Sequence, residues 1–188
     1  MLATHAANFL FAPSSQIVNR DFVLAKLLST QPLDRGVLFS LGTLAISPMP
    51  GRNGQFTKDF DTIKKWQPNL VLTIATIFEM VHKNATQLPN QLSEAGIDWL
   101  HFPIEDFDAP DGKTNQSWLE IANCAHKVLD EGGKVLAHCM GGQGRSGMAI
   151  LRLMVERGIS PEIALKQIRT VRPMAVETHV QYNWASRI

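Results

Sequence analysis

Apolar residues fall into two rhythms along this chain. Short runs rich in β-branched and aliphatic residues predict strands at "LVLTIA" (70–75), "IDWLHF" (97–102) and "KVLAHC" (134–139). "GVLFSLGTLAISPMPG" (36–51) is apolar but interrupted by Gly42, and predicts two strands or one strand turning into another. Between these runs the spacing is helical. One helix is expected from Thr57 through Trp66, with Phe60 and Ile63 on one face, and another at "LPNQLSEAG" (88–96), stopped by Gly96. A long amphipathic helix is expected from Thr114 to about Glu131, turning Leu119, Ala122, Ala125, Val128 and Leu129 inward, with Cys124 as a core residue among them. "SGMAILRLMVERG" (146–158) predicts a helix. So does the segment capped by Ser160, with Pro161 in its first turn, which ends near Val171 before Pro173. "ETHVQYNWASRI" (177–188) predicts a last helix.

Strands alternating with helices imply a single α/β domain, with a central, mostly parallel sheet flanked by helices. The start of the chain is organised differently. Asn19 is placed to cap a short helix, "RDFVLAKLLS", in which Phe22, Val23, Lys26 and Leu27 have helical spacing. Residues 1–35 are therefore expected to be an N-terminal helical extension and 36–188 the main domain.

Composition narrows the function more by exclusion than by suggestion. A formal net charge of +1 argues against nonspecific nucleic-acid binding, which needs concentrated positive charge. No run is long and apolar enough for a membrane helix. "MLATHAANFLFAPSS" has no Lys or Arg before Arg20 and makes a poor signal peptide. Cys124 and Cys139 build neither a disulfide framework nor a CxxC zinc pattern, so a reducing, cytoplasmic setting is expected. His82, His101, His126 and His179 form no ligand spacing with cysteines or carboxylates, so neither a metal nor another cofactor is expected.

The candidate chemistry lies in "HCMGGQGRSG" (138–147), between a predicted strand and a predicted helix. Gly142, Gly144 and Gly147 spell GxGxxG. A dinucleotide fold, however, needs a further strand and an acidic residue about 20 residues on, and neither follows. A nucleotide P-loop fails too, for want of GK[ST]. The alternative centres on Cys139 and Arg145, at a C-x5-R spacing around Met140, Gly141, Gly142, Gln143 and Gly144. So small a loop can curl until its N–H groups converge as an anion nest, with the positive end of the next helix aimed at the same point. Arg145 adds a planar fork suited to two phosphate oxygens. Cys139 then sits at the floor of a phosphate-sized bowl, in surroundings that favour a nucleophilic thiolate.

His138-Cys139, five residues, then Arg145-Ser146 resembles the signature of the cysteine-dependent protein tyrosine phosphatases. The nearer resemblance is to small dual-specificity phosphatases of the cyclin-dependent kinase-associated type. It is carried by "HCMGGQGRS", "HFPIEDFDAPD" and "ETHVQYNW" and covers about residues 37–188. The resemblance implies a catalytic domain over 36–188, in which Cys139 attacks phosphorus and Arg145 holds the equatorial oxygens. Ser146 would hydrogen-bond the sulfur and help it leave, or cap the following helix, or do both. His138 would orient Cys139 or be a satisfied core histidine. A general acid must come from another loop, where Asp98, Glu105, Asp106, Asp108 and Asp111 lie; Asp106 aligns with the family acid. Asp108 and Asp111 could equally be turn formers beside Pro110 and Gly112. Gln181 matches a family glutamine that orients the hydrolytic water, against the alternative of an exposed helix residue.

None of the five positions between Cys139 and Arg145 is charged, whereas family members acting on phosphoinositides carry lysines there. That favours a single phosphate ester on a protein side chain: phosphotyrosine, phosphoserine or phosphothreonine. The resemblance suggests a phosphorylated protein as partner, a protein kinase in particular, and a monomeric enzyme using neither nucleic acid nor membrane. A phosphatase for lipid or nucleic-acid phosphates is the alternative, followed by an inactive phosphate-binding module.

Overall fold

The computed structural model describes Ala25–Leu28 and residues 42–187. Its strands are β1 (Ala25–Leu28), β2 (Thr43–Pro48), β3 (Leu70–Thr73), β4 (Asp98–His101) and β5 (Lys134–Cys139). Its helices are α1 (Phe56–Trp66), α2 (Ile77–His82), α3 (Leu88–Glu94), α4 (Gly112–Asp130), α5 (Gly144–Glu156), α6 (Pro161–Val171) and α7 (His179–Ser186). The strands form one sheet in the order β1-β2-β5-β3-β4. β2, β5, β3 and β4 are parallel, and β1 joins the edge antiparallel to β2.

The parallel strands read as apolar runs because both faces of the sheet are covered. Leu44, Ile46, Leu70, Leu72, Val135 and Ala137 face one layer, shared with buried residues of α4, α5, α6 and α7. The residues between them, Ala45, Val71 and Leu136, face the other, with Phe60, Ile63 and Trp66 of α1, Met80 of α2 and Leu88 and Leu92 of α3. The period of two along each strand thus sorts the core into two slabs. β5 runs between β2 and β3 and pairs Cys139 with Pro48 and His138 with Thr73. The carboxyl ends of three strands therefore meet at one edge, where open α/β sheets bind their ligands.

Three expectations need correction. Ala25–Leu28 is a strand, not part of a helix, because pairing with the open edge of β2 outweighs a weak local helical pattern. Asn19, the rest of that expected helix and residues 36–41 lie outside the described residues. On α4 the buried stripe is Trp118, Ile121, Ala122, Ala125 and Leu129, spaced for one helix face, while Leu119 is 67% exposed. Cys124 falls off that stripe and is exposed rather than core. α2 had no counterpart in the expected elements; it starts at a capping box in which Thr76 and Glu79 satisfy each other's backbone N–H.

Candidate active site

Cys139 ends β5 and is nearly buried, with Sγ 3.4 Å from Ser146 Oγ. α5 begins at Gly144, two residues earlier than expected, so Ser146 lies inside the first turn and is not the cap. Its hydroxyl faces the sulfur. The loop between is pressed against the carboxyl end of β2: Gly142 has φ +66°, and a Cβ there would overlap the Ser47–Pro48 backbone.

The Arg145 side chain is fully buried. Nη1 and Nη2 donate to Glu79 Oε2 and Oε1, each at 2.7 Å, and Nη1 also donates to the Ile104 carbonyl at 2.9 Å. Asp106 Oδ1 forms an ion pair with Nη2 at 2.9 Å. Nε is buried and has no partner among the described residues. Burial works against the Glu79 charge, but hydrogen bonds from Arg145 and Thr76 outweigh it and hold the carboxyl below its usual range. Burial likewise opposes the Arg145 charge. The Glu79 hydrogen bond and the nearby Cys139, Glu79 and Asp106 charges outweigh it, so the guanidinium holds its proton more firmly than usual. With Glu79 bonded to the two Nη atoms, the Nε edge is left for an oxyanion. Glu79 was missed from the sequence, although T-x-x-E at 76–79 is a readable capping signature.

Of the five carboxylates considered in and beside the acidic loop, Asp106 is the one brought to Arg145. Asp108 Oδ1 accepts from Ala109 N at 2.8 Å, and Asp111 caps α4 by accepting from Thr114 N at 2.7 Å. That cap holds the Asp111 carboxyl low, and both residues take the turn-forming alternative. Asp98 stays on β4, exposed. Glu105 contributes its carbonyl to the turn, accepting from Asp108 N.

His138 is fully buried beneath the loop. Trp99 Nε1 donates to Thr73 Oγ1 at 2.8 Å, and Thr73 Oγ1 lies 2.7 Å from His138 Nε2. With the hydroxyl oxygen accepting from Trp99, its single hydrogen can be given to Nε2, the pairing that a neutral imidazole protonated at Nδ1 makes. Nδ1 is buried and has no hydrogen-bond partner among the described residues. Burial pushes the imidazole down to about 4.

Gln181 is buried too, not an exposed helix residue. Its Oε1 accepts from Glu177 N at 2.9 Å and Thr178 N at 3.4 Å, while Nε2 is buried and unpartnered among the described residues. Both amide atoms lie within about 3 Å of where a Cβ on Gly144 would be. The loop amides are not all open: Gly144 N donates to Glu177 Oε2 at 2.9 Å. Met140 accepts from Met49 N through its carbonyl, Gln143 accepts from Gly147 N, and Gly141 faces open space. Among the described residues, no cluster of three His, Cys, Asp or Glu suits a metal, and no helix is long and apolar enough to cross a membrane.

Residues 49–159 match the family model described as "Polymorphic toxin system, DSP-PTPase phosphatase". The cyclin-dependent kinase inhibitor 3 of Mus musculus is 34% identical over 130 residues, 68% of this chain and 60% of that protein. Its Homo sapiens counterpart is 32% identical over 151 residues, 75% of this chain and 69% of that protein. The chain thus spans about 60% of the length of the mouse relative. Among solved structures, a kinase-associated phosphatase with its catalytic cysteine replaced by serine superposes with a TM-score of 0.67 at 27% identity, over 76% of this chain and 83% of that one. The active form of Tk-PTP superposes with a TM-score of 0.62 at 33% identity, over 77% and 92% of the two chains.

Proposed function

The chain belongs to the DSP-PTPase phosphatase family, and we propose that it hydrolyses phosphotyrosine and phosphoserine or phosphothreonine monoesters on proteins through a cysteinyl-phosphate intermediate. The observation that carries this reading is that Cys139 Sγ, the guanidinium of Arg145 with its buried, unpartnered Nε, and the Asp106 carboxyl lie together at one loop.

In the first step the Cys139 thiolate attacks phosphorus and the ester P–O bond breaks. Protonated Asp106 gives its proton to the departing oxygen, and Arg145 holds two equatorial oxygens as charge builds on them. Asp106 Oδ1 lies 2.9 Å from Arg145 Nη2, and the proposed reaction has it turn from there to the leaving oxygen. In the second step water attacks phosphorus and the S–P bond breaks. Ser146 Oγ hydrogen-bonds the leaving sulfur, Asp106 takes the water's proton, and inorganic phosphate departs. In this reading the unpartnered Nε2 of Gln181 would hold that water, and His138, tied to Thr73, would steady the strand end that presents Cys139.

The uncharged loop positions 140–144 support a substrate with a single phosphate, and the kinase-related names of the similar proteins make a protein kinase the candidate partner. Parallel turnover assays on phosphopeptides, inositol phosphates and RNA 5′-phosphates test this. The expected result is hydrolysis of phosphopeptides well above the other two. Preference for inositol phosphates or RNA ends would replace the protein substrate with a lipid or nucleic acid.

A further inference from the structure

An anion nest works by keeping its N–H groups unoccupied, yet the Gly144 N–H is bonded to Glu177 Oε2 at 2.9 Å. This oxygen is packed into the loop, because any Cβ at position 144 would overlap it, and the amide of Gln181 closes the same spot. The backbone behind it is pinned: Glu177 N donates to Gln181 Oε1, and Thr178 Oγ1 donates to the Phe107 carbonyl of the acidic loop at 3.0 Å. Glu177 is otherwise exposed, and among the described residues no Lys or Arg forms an ion pair with it.

One N–H cannot serve two anions at full strength. A phosphoryl oxygen arriving at Gly144 must displace the carboxylate against the repulsion between them. A cation carried by the substrate offsets that cost, because it gives the carboxylate another partner. We infer that Glu177 is a specificity-determining residue. Its carboxylate holds the Gly144 N–H until a phosphoryl oxygen replaces it, and a phosphoprotein with Lys or Arg beside its phosphorylated residue is favoured because that cation draws the carboxylate away. The inference rests on the phosphatase reading above and names the substrate more closely. Once released, the carboxylate remains at the rim, since Thr178 ties its backbone to the acidic loop.

Two measurements on wild type, Glu177→Ala and Glu177→Gln test it. Tungstate titration by calorimetry needs no turnover. Glu177→Ala should bind tungstate about fivefold more tightly than wild type, as expected when a competing hydrogen bond of typical net strength is removed. Glu177→Gln should fall between, because a neutral amide can still accept from Gly144 but does not repel the anion. A purely structural role would loosen binding instead. The second measurement compares kcat/KM for two phosphothreonine peptides that differ only by Lys or Ala next to the phosphorylated residue. Wild type should favour the Lys peptide by about fivefold, the scale of a partly exposed ion pair, and both variants should lose the preference. Equal or weaker tungstate affinity in Glu177→Ala overturns the inference, as does equal turnover of the two peptides by wild type. If no phosphopeptide is hydrolysed at all, the phosphatase reading fails, while the tungstate titration still decides whether Glu177 competes for the loop.

Discussion

Glu79 grips Arg145 with both carboxylate oxygens, at 2.7 Å each, so rotation of the guanidinium would break two hydrogen bonds at once. The grip is itself fixed, because the capping box at the start of α2 holds the Glu79 carboxylate from the other side. In the proposed reaction Glu79 would act only through Arg145, as a positioning residue. Glu79→Gln should leave the fork tilted and lower kcat per folded molecule by about 10²-fold, the scale of an ångström-sized misplacement. Stability should fall toward the low end of the roughly 3–5 kcal/mol lost when a buried pair is broken, because Asp106 still faces the cation. Steady-state kinetics on protein shown to be folded by circular dichroism checks this. An unchanged kcat would mean the ion pair serves the fold alone.

A second expectation concerns pH. The buried His138 imidazole is held at about 4, below its ordinary 6.5. The unfolded chain therefore takes up this proton first as pH falls. The stability tied to the neutral ring is complete above about pH 6.5, declines through the window from 6.5 to 4, and has dropped by roughly 3 kcal/mol at its lower end. Urea unfolding at steps between pH 7.5 and 5 should show this slope, and His138→Gln should flatten it. A slope of equal size in that variant would assign the effect to other groups.

The candidate chemistry was legible where it is local. C-x5-R with interspersed glycines marks a tight loop after a buried strand, and strands covered on both faces read as apolar runs, as β3 and β5 do. What escaped is non-local. Glu79 meets Arg145 across 66 positions of sequence, and nothing near either residue announces the other. β1 exists because β2 offers an open edge, which a local helical pattern cannot reveal. Trp118 and Leu119 are adjacent and both apolar, so periodicity alone could place the stripe on either, and the wrong one also carried Cys124 into the expected core. The burial of Gln181 is equally silent in the sequence, because a polar side chain in a terminal helix carries no local mark of it.

The two cysteines should part company. Cys139→Ser should abolish turnover while leaving phosphate-ester binding, because a hydroxyl at that position is a far weaker nucleophile and the loop and Arg145 remain in place. Cys124 lies on the solvent side of α4, so Cys124→Ser should change stability by no more than about 0.5 kcal/mol and leave kcat unaltered. Single-turnover assays with phosphopeptide, alongside thermal melts, distinguish them. Residual turnover by Cys139→Ser, free of contaminating phosphatase, would rule out the covalent route.

The assignment of the general acid is open to a test that depends on the leaving group. Asp106 reaches Arg145 at 2.9 Å, while Asp108 and Asp111 are bonded to backbone N–H groups of their own turns. An acid matters most when the departing oxygen is strongly basic, and such catalysis contributes about 10²- to 10⁴-fold. A threonine alkoxide cannot leave without a proton, whereas a nitrophenolate leaves with little help. Asp106→Asn should therefore slow phosphothreonine peptides by a factor in that range and p-nitrophenyl phosphate far less. The dependence of rate on leaving-group basicity should steepen with it. Asp111→Asn keeps an oxygen to cap α4 and should show neither effect, and Asp108→Asn likewise. If Asp108→Asn shows the leaving-group dependence and Asp106→Asn does not, the ion pair with Arg145 marks a structural carboxylate and the acid is its neighbour. If neither variant shows it, the proton comes from outside this loop, and the movement of Asp106 from Arg145 to the leaving group has to be abandoned.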